Sequence, residues 1–289
     1  MNSKSIFVLK LSVFTIFLAR AYQHFFWDMP YRAILWYEDL MRPVLNWFQI
    51  DWEDFVSDTT TDTNIQFIIK SIGVLYFIVS ILVLFYHQNS KKWHKGMIIG
   101  ITVWQFFVVF LFTKESFFQL GQYFEHSLQL GLPILLLYIY SNSFSLPKAL
   151  VFLKVLIGIT FLCHGLYALG FYPVPGNFID MTISILGFSE AHARTFLWIA
   201  GVIDLFILPL LFIRKITKIT AIYAVFWGFL TAFARIVANF SIDFPFDTMH
   251  QYGFETIVRL CHGLGPLLIV LLLPKKNNVL EKVRQQLFL

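Results

Sequence analysis

Three ionisable residues near the end of the sequence have the types and spacing needed to bind a polar group. Glu255, Arg259 and His262 follow one another at i, i+4 and i+7, so they form one stripe along a predicted helix. A carboxyl group beside a guanidinium and an imidazole can donate hydrogen bonds and exchange protons. The stripe therefore predicts one side of a polar pocket.

Other polar residues lie inside strongly apolar segments, where a central charge costs about 2.5–3.5 kcal/mol on insertion into a bilayer. Asp204 is surrounded by Leu and Ile, and Arg235 and Asn239 share a helix face. A structural alternative stays open, in which Glu255 pairs with Arg259 and Arg235 with Asp204. Most of these residues fall toward one predicted side of the membrane, and the pocket candidates are His164, Asp204, Arg235, Asn239, Glu255, Arg259, His262, Arg20 and Glu125.

The elements that must position these residues are membrane-spanning helices. Of the 289 residues, 58% are hydrophobic and 13% are charged, and the sequence contains 34 Phe. An average soluble domain has roughly 25% charged residues. Apolar runs of about 17–22 residues match a hydrocarbon layer about 30 Å thick. The composition excludes a soluble enzyme and a nucleic-acid-binding protein, and it makes the lipid bilayer the first partner.

The apolar runs predict an all-α integral membrane protein with about eight spans, at residues 6–27, 66–86, 96–112, 120–140, 149–170, 195–213, 219–239 and 252–273. Lys and Arg concentrate in the second, fourth and sixth connections and in the C-terminal tail, which favours their placement in the cytoplasm. The tail residues are Lys275, Lys276, Lys282 and Arg284. We therefore expect a multi-pass protein of the cell membrane with both termini in the cytoplasm.

The N-terminal segment has a second interpretation. Lys4, the following apolar stretch and the Ala19-Arg20-Ala21 sequence resemble a cleavable signal peptide, although Lys10 interrupts the apolar core.

Aromatic and acidic residues in the first and fifth connections predict interfacial helices that lie over the pocket, or that serve only as anchors.

The sequence contains an internal repeat. Residues 122–126 and 251–255 correspond, Trp104 matches Trp227, Gly73 matches Gly201, and residues 18–30 parallel residues 162–173. Two four-helix bundles in tandem and in parallel orientation are predicted, at residues 1–144 and 145–289, because an even number of spans inserts both units the same way up.

These segments resemble the DoxX-like superfamily of small membrane proteins. The resemblance rests on LARAYQHFF at residues 18–26 and LCHGLYALGFYP at residues 162–173, with His164-Gly165, Gly201 and Asp204 as the closest matches. In the first unit Arg20 replaces His164, and no acid replaces Asp204. The resemblance implies four-helix bundles that serve as membrane subunits beside redox enzymes, some of them linked to quinone chemistry.

Cysteine and histidine also raise the question of a metal or haem. Cys163-His164-Gly165 and Cys261-His262-Gly263 are predicted to lie at a similar depth in the outer half of the membrane. Adjacent helical residues point about 100° apart, so one helix cannot easily aim both side chains at one ion. Two buried, packed cysteines are therefore favoured over a metal site or a disulfide, and no spacing is diagnostic of haem.

Three functions are consistent with this pattern. The favoured one is a redox-associated subunit with a pocket facing outward, in which His164, Arg259 and Glu255 bind a quinone-like or other small ligand and a redox partner protein supplies the electrons. No flavin or dinucleotide fingerprint is present, so a membrane subunit is favoured over an independent enzyme. The alternatives are a small-molecule transporter that uses Asp204 and a non-catalytic assembly or chaperone factor that binds through the aromatic loops.

Overall fold

The computed structural model describes residues 1–273, and within this range all regular structure is helical. The fourteen helices are α1 (Ser3–Phe26), α2 (Arg32–Leu35), α3 (Glu38–Trp47), α4 (Trp52–Ser57), α5 (Thr59–Phe85), α6 (Lys92–Glu115), α7 (Leu120–Phe124), α8 (Ser127–Ile139), α9 (Leu146–Leu169), α10 (Gly176–Leu186), α11 (Glu190–Phe212), α12 (Thr217–Asn239), α13 (Pro245–Arg259) and α14 (Cys261–Leu272). The basic tail predicted to be cytoplasmic lies outside the described residues.

Seven segments of the described chain are long and apolar enough to cross a membrane: α1, α5, α6, α9, α11, α12, and α13 together with α14. They match seven of the eight predicted spans, although most begin several residues earlier than the apolar runs. Polar caps explain some of the earlier starts: Asp58 accepts a hydrogen bond from the Thr60 N–H, and Ser189 from the His192 N–H. The fold is that of a multi-pass helical membrane protein.

The predicted span at residues 120–140 differs, because it is divided into the short helices α7 and α8. The break is local to His126. Its ring Nδ1 lies 2.8 Å from the backbone oxygen of Gln122, the atom that the His126 N–H would bond in a continuous α-helix. The His126 N–H bonds to the oxygen of Tyr123 instead. The side chain thus replaces one backbone hydrogen bond and interrupts the helix.

Helices in the first and fifth connections are confirmed. Three short helices, α2 to α4, follow α1, and α10 lies between α9 and α11. The first connection also sends Met29 and Tyr31 inward, where they pack with Ile65, Ile69 and Val108. The helix α10 lies at the end of the bundle where α9 ends and α11 begins. We call this the α10 end.

Close helix packing depends on glycine at one contact in particular. A Cβ atom on Gly165 of α9 would lie 2.8 Å from the backbone oxygen of Gly201 in α11, and a Cβ on Gly201 would lie 2.9 Å from the oxygen of Gly165. Only glycine lets these two backbones approach so closely, as is common between helices in lipid. Gly170, which the sequence pattern also assigns to packing, instead ends α9 with a φ of +81°.

The two predicted units contact each other through their first and last helices. α1 packs on α13 and α14, whereas α9 packs on α7 and α8. At the α10 end the Tyr22 hydroxyl of α1 is hydrogen-bonded to the Nδ1 atom of His250 in α13. One apolar cluster, which includes Leu9, Leu132, Ile157 and Ile269, continues through both units. The chain therefore folds around a shared core.

Candidate functional site: a roofed cavity in the second unit

A cavity of about 420 Å³ lies between α9, α10, α11, α12 and the α13–α14 helix pair. Its walls are mainly aromatic and aliphatic, with Phe161 from α9, Phe178 from α10, Phe196 from α11 and Trp227 from α12. On the α10 side Met181 and Thr182 are buried, so α10 covers the cavity as a roof. The volume falls in the range of about 300–1,000 Å³ that is usual for small-molecule sites.

Five of the nine candidate residues line this cavity, and each comes from a different helix. They are His164 of α9, Asp204 of α11, Arg235 of α12, Arg259 of α13 and His262 of α14. The imidazole rings of His164 and His262 lie with their centroids 5.1 Å apart. The fold thus brings together charged and polar residues that are up to 98 positions apart in the sequence, from 164 to 262.

Three buried polar atoms at this cavity have no hydrogen-bond partner within the protein: His164 Nε2, His262 Nε2 and Asp204 Oδ1. A buried polar group without a partner costs about 1–3 kcal/mol. Such atoms are uncommon in folded proteins and require an explanation at each site. Seven buried side-chain atoms of the described residues lack a partner, and these three are the ones whose residues line this cavity.

Arg235 makes an ion pair with Glu255, and not with Asp204 as the structural alternative has it. The Nε atom of Arg235 donates to Oε2 of Glu255 at 2.9 Å. The predicted pair between Arg259 and Glu255 is present at 3.7 Å. Glu255 lies closer to Arg235 because the ends of α12 and α13 meet there, whereas Asp204 lies deeper on α11. One carboxylate therefore faces two guanidinium groups, which leaves donors of Arg259 available to the cavity.

Asn239 and Glu125 lie outside the cavity lining. The Asn239 amide donates to the backbone oxygen of Arg235 at 2.8 Å. Glu125, from the first unit, lies behind His164, with its Oε2 atom 3.7 Å from His164 Nδ1. The Glu125 carboxylate also accepts a hydrogen bond from the Gln122 amide at 3.0 Å. The nearby carboxylate favours a proton on Nδ1 of His164, which leaves the lone pair on Nε2, the atom that has no partner within the protein.

Arg20 belongs to a separate polar network in the first unit. Its guanidinium donates to Gln129 Oε1 at 2.8 Å and to Gln23 Oε1 at 2.7 Å. It also lies over the ring of Phe112, 4.9 Å from the centroid. These contacts satisfy much of the buried charge without any group from outside the chain.

A second chain of hydrogen bonds in the first unit involves residues that sequence reasoning did not single out as site residues. The Trp104 indole donates to the Tyr31 hydroxyl at 2.9 Å, and that hydroxyl lies 2.8 Å from His24 Nε2. The His24 Nδ1 atom is 2.6 Å from the backbone oxygen of Arg20. Because an indole only donates, the Tyr31 proton goes to His24. Burial raises the pKa of Tyr31 to about 12, so its hydroxyl keeps that proton.

Both cysteines are buried and free. The Cys261 thiol lies 3.2 Å from the backbone oxygen of Val258 within its own helix. Across residues 1–273 no group of three or more His, Cys, Asp or Glu side chains has the arrangement of a metal site. The two thiols thus pack in the protein interior, as favoured from the sequence.

Sequence reasoning also did not assign Trp227 or Thr231 to the site. Trp227 had a usable signal, because its match with Trp104 placed it on the helix that follows Asp204 in the second unit. In the folded chain its indole is close enough to interact with the Asp204 carboxyl group. Thr231 bonds to the backbone of its own helix, and no feature of the sequence distinguishes it.

In comparisons with known proteins, no family model, no curated protein and no solved structure matches this chain. The resemblance to DoxX-like proteins therefore stays a proposal.

Proposed function

We propose that this protein is a membrane-embedded binding subunit whose second-unit cavity holds a small, mostly apolar ligand with a quinone-like polar ring. The observation that carries the proposal is the convergence of three unpartnered buried atoms, His164 Nε2, His262 Nε2 and Asp204 Oδ1, on one cavity. A ligand that bonded to these atoms would remove a desolvation cost that the protein alone leaves uncompensated.

The chemistry of the cavity supports a ring with oxygen substituents. Ring oxygens accept hydrogen bonds from the Arg259 guanidinium, and ring hydroxyls donate to the imidazole Nε2 atoms. The aromatic walls formed by Phe161, Phe178 and Trp227 offer flat apolar contacts for the ring. A quinone, when bound, supplies electron and proton acceptance, whereas the chain supplies orientation and, at His164 Nε2, an acceptor for the proton of a ring hydroxyl. Electrons would come from a partner protein.

The arrangement of helices also supports the proposed tandem repeat of residues 1–144 and 145–289. α1 packs on α5 as α9 packs on α11, and α6 packs on α7 and α8 as α12 packs on α13 and α14. α1 on α14 and α9 on α8 are likewise equivalent contacts. We infer that α7 and α8 together make the eighth crossing, and that the two DoxX-like units are parallel.

The placement of the cavity on the outer side of the cell membrane, with both termini in the cytoplasm, rests on the distribution of Lys and Arg over the connections. A transport path is less well supported than a binding site. Beyond Asp204, toward the opposite end of the bundle, the interior contains Leu153, Ile157, Ile207 and Leu211, all buried and apolar. An assembly role through the aromatic loops would leave the three unpartnered atoms unexplained.

The test is to purify the intact chain in mild detergent, record its ultraviolet–visible spectrum, extract bound small molecules for mass spectrometry, and titrate the emptied protein with a decyl-tailed benzoquinone. Arg259→Ala is the test variant. Arg194→Ala is the matched control, because Arg194 is an exposed residue that pairs with Glu190 away from the cavity. We expect a bound quinone, or binding on titration, in the wild type and the control and a loss in Arg259→Ala. A protein that neither retains nor binds the quinone contradicts the proposal.

A further inference from the structure

The cavity in the second unit has two chemically different ends. At the end that faces the protein interior, the side chains of Asp204, Arg235 and His262 are each no more than 6% exposed. At the other end, three lining side chains are exposed: Ile185 and Leu186 of α10, at 41% and 44%, and Leu230 of α12, at 60%. The opening of the cavity is therefore formed by aliphatic side chains, and the charged groups lie behind it.

The opening lies on the surface of the bundle that meets lipid. Leu230 is close to the middle of α12, nine residues before its last residue, Asn239, which corresponds to about 13 Å at 1.5 Å per residue. Its exposed neighbours on the same helix, Phe226 and Phe233, are also apolar. A position this far from the helix end lies within a hydrocarbon layer about 30 Å thick. Toward the α10 end, by contrast, the buried residues Met181 and Thr182 close the cavity.

From this geometry we infer that the ligand is a single-tailed membrane lipid, which enters sideways from the bilayer between α10 and α12 and leaves its tail beside Leu230. This inference rests on the proposed function and deepens it by naming the ligand class. A tail that remains in the bilayer loses no apolar burial on binding, and only the polar head has to enter the protein. A charged, water-soluble ligand would have to cross an aliphatic opening without a polar partner.

The experiment uses the full-length protein in lipid nanodiscs and two substitutions on one helix. Leu230→Trp narrows the opening. Val237→Trp is the matched control, because Val237 is also 60% exposed on α12 but does not line the cavity. Each protein is titrated with a benzoquinone that carries a decyl tail and with the same benzoquinone without a tail, and empty nanodiscs correct for partitioning. A palmitic acid with a diazirine in its chain is then photo-cross-linked, and the labelled peptides are mapped.

We expect Leu230→Trp to weaken binding of the tailed quinone at least about tenfold, which corresponds to about 1.4 kcal/mol. The tail-less quinone should be affected much less, and Val237→Trp should change neither. Equal effects of Leu230→Trp on the two quinones, or none, would overturn entry from the bilayer while leaving the quinone site intact. If no quinone binds but palmitate labels α10 and α12 in a manner that Leu230→Trp suppresses, the lipid opening stands and the quinone proposal fails. Failure of every probe to bind or label overturns both.

Discussion

The two proposed units differ at positions that the proposed repeat makes equivalent. In the proposed repeat, Gly73 aligns with Gly201 and Trp104 with Trp227. Tyr76 then aligns with Asp204, because each lies three residues after its glycine. In the first unit the Tyr76 hydroxyl donates to Gln105 Oε1 at 2.8 Å. In the second unit Asp204 Oδ1 is buried without a partner. Tyr76 thus has a partner inside the protein, although the Gln105 amide nitrogen is itself buried without one, whereas Asp204 belongs to the lining of a cavity.

The connections that follow the first helix of each unit explain the difference. In the first unit the connection folds inward, so that Met29 and Tyr31 fill the space between α5 and α6. In the second unit the connection forms α10, which covers the corresponding space without filling it. We infer that the first unit is a structural copy whose polar residues stabilise the fold, whereas the second unit has kept its polar residues available to a ligand. Substitutions in the two units should therefore separate stability from binding.

The largest expected effect is on stability in the first unit. Gln129→Leu removes the acceptor for the buried Arg20 guanidinium and leaves a charge with one fewer hydrogen bond. We expect a loss of about 3 kcal/mol in the free energy of unfolding, because hydrogen bonds to charged groups are worth about 1.5–3 kcal/mol and unsatisfied buried charges cost more. The free energy of unfolding of wild type and variant is measured by chemical unfolding in detergent micelles.

Two further variants control for simple disruption of the first unit. Gln129→Glu keeps an acceptor for Arg20 and should retain stability. The double variant Arg20→Met with Gln129→Leu removes both partners. It should regain much of the lost free energy of unfolding, since two packed apolar side chains replace a buried charge that lacks a hydrogen bond. A double variant as unstable as Gln129→Leu alone would show that the Arg20 charge is not the cause.

Tyr31→Phe should destabilise the first unit by about 2 kcal/mol, because it leaves the Trp104 indole and the His24 imidazole without their shared partner. This difference in the free energy of unfolding between wild type and variant should decrease at high pH. Burial raises the pKa of Tyr31 from 10.0 to about 12, so the stabilisation is complete below pH 10 and is lost as the pH rises from 10 toward 12. Unfolding curves of both proteins at several pH values measure it; a constant difference up to pH 12 would contradict the assignment.

In the second unit, His164→Ala and Asp204→Asn should each weaken binding of the decyl-tailed benzoquinone about tenfold, a change of about 1.4 kcal/mol. His164 Nε2 and Asp204 Oδ1 have no partner within the protein, so the unfolding free energy should fall less than in Gln129→Leu, although His164→Ala also removes the contact with Glu125. Titration and unfolding are measured on the same preparations. The contrast between the units fails if both variants unfold as readily as Gln129→Leu.

The smallest effect is expected for Glu125→Gln, which keeps the size of the side chain behind His164 and removes its charge. Because Glu125 acts by orienting His164 and does not line the cavity, binding of the same quinone should weaken only about threefold. The pH dependence of binding should also shift, and Glu125→Asp should restore part of it. A loss as large as that in His164→Ala would mean that Glu125 contacts the ligand directly.

Much of the fold could be predicted from the sequence, because apolar segments of fixed length report directly on membrane-spanning helices. The division of residues 120–140 could not, since it arises from one ring atom of His126 that takes over a backbone hydrogen bond. Hydropathy does not register such a contact. A glycine that ends a helix, such as Gly170, and one that packs against a neighbour, such as Gly165, also look alike until the backbone angle is known.

The candidate site could be predicted only in part. Helical spacing placed Arg259 and His262 on one stripe, and both line the cavity. Spacing within a helix does not tell which neighbouring helix supplies the partner, so the sequence offered Asp204 as an alternative partner for Arg235, whereas the structure pairs Arg235 with Glu255. Arg20 and His164 occupy matching positions, yet only His164 lines the cavity, because the side chains that follow α1 fill the first unit.

The two buried cysteines make unfolding of this protein observable through its own thiols, without an engineered cysteine. Cys163 precedes His164 on α9 and Cys261 precedes His262 at the start of α14, two of the helices that form the cavity, and both thiols are buried. A dye that fluoresces on reaction with a thiol would remain dark on the folded chain and would light up as these helices separate on heating. Occupation of the cavity would delay that signal, so ligands could be screened by the temperature at which the thiols react.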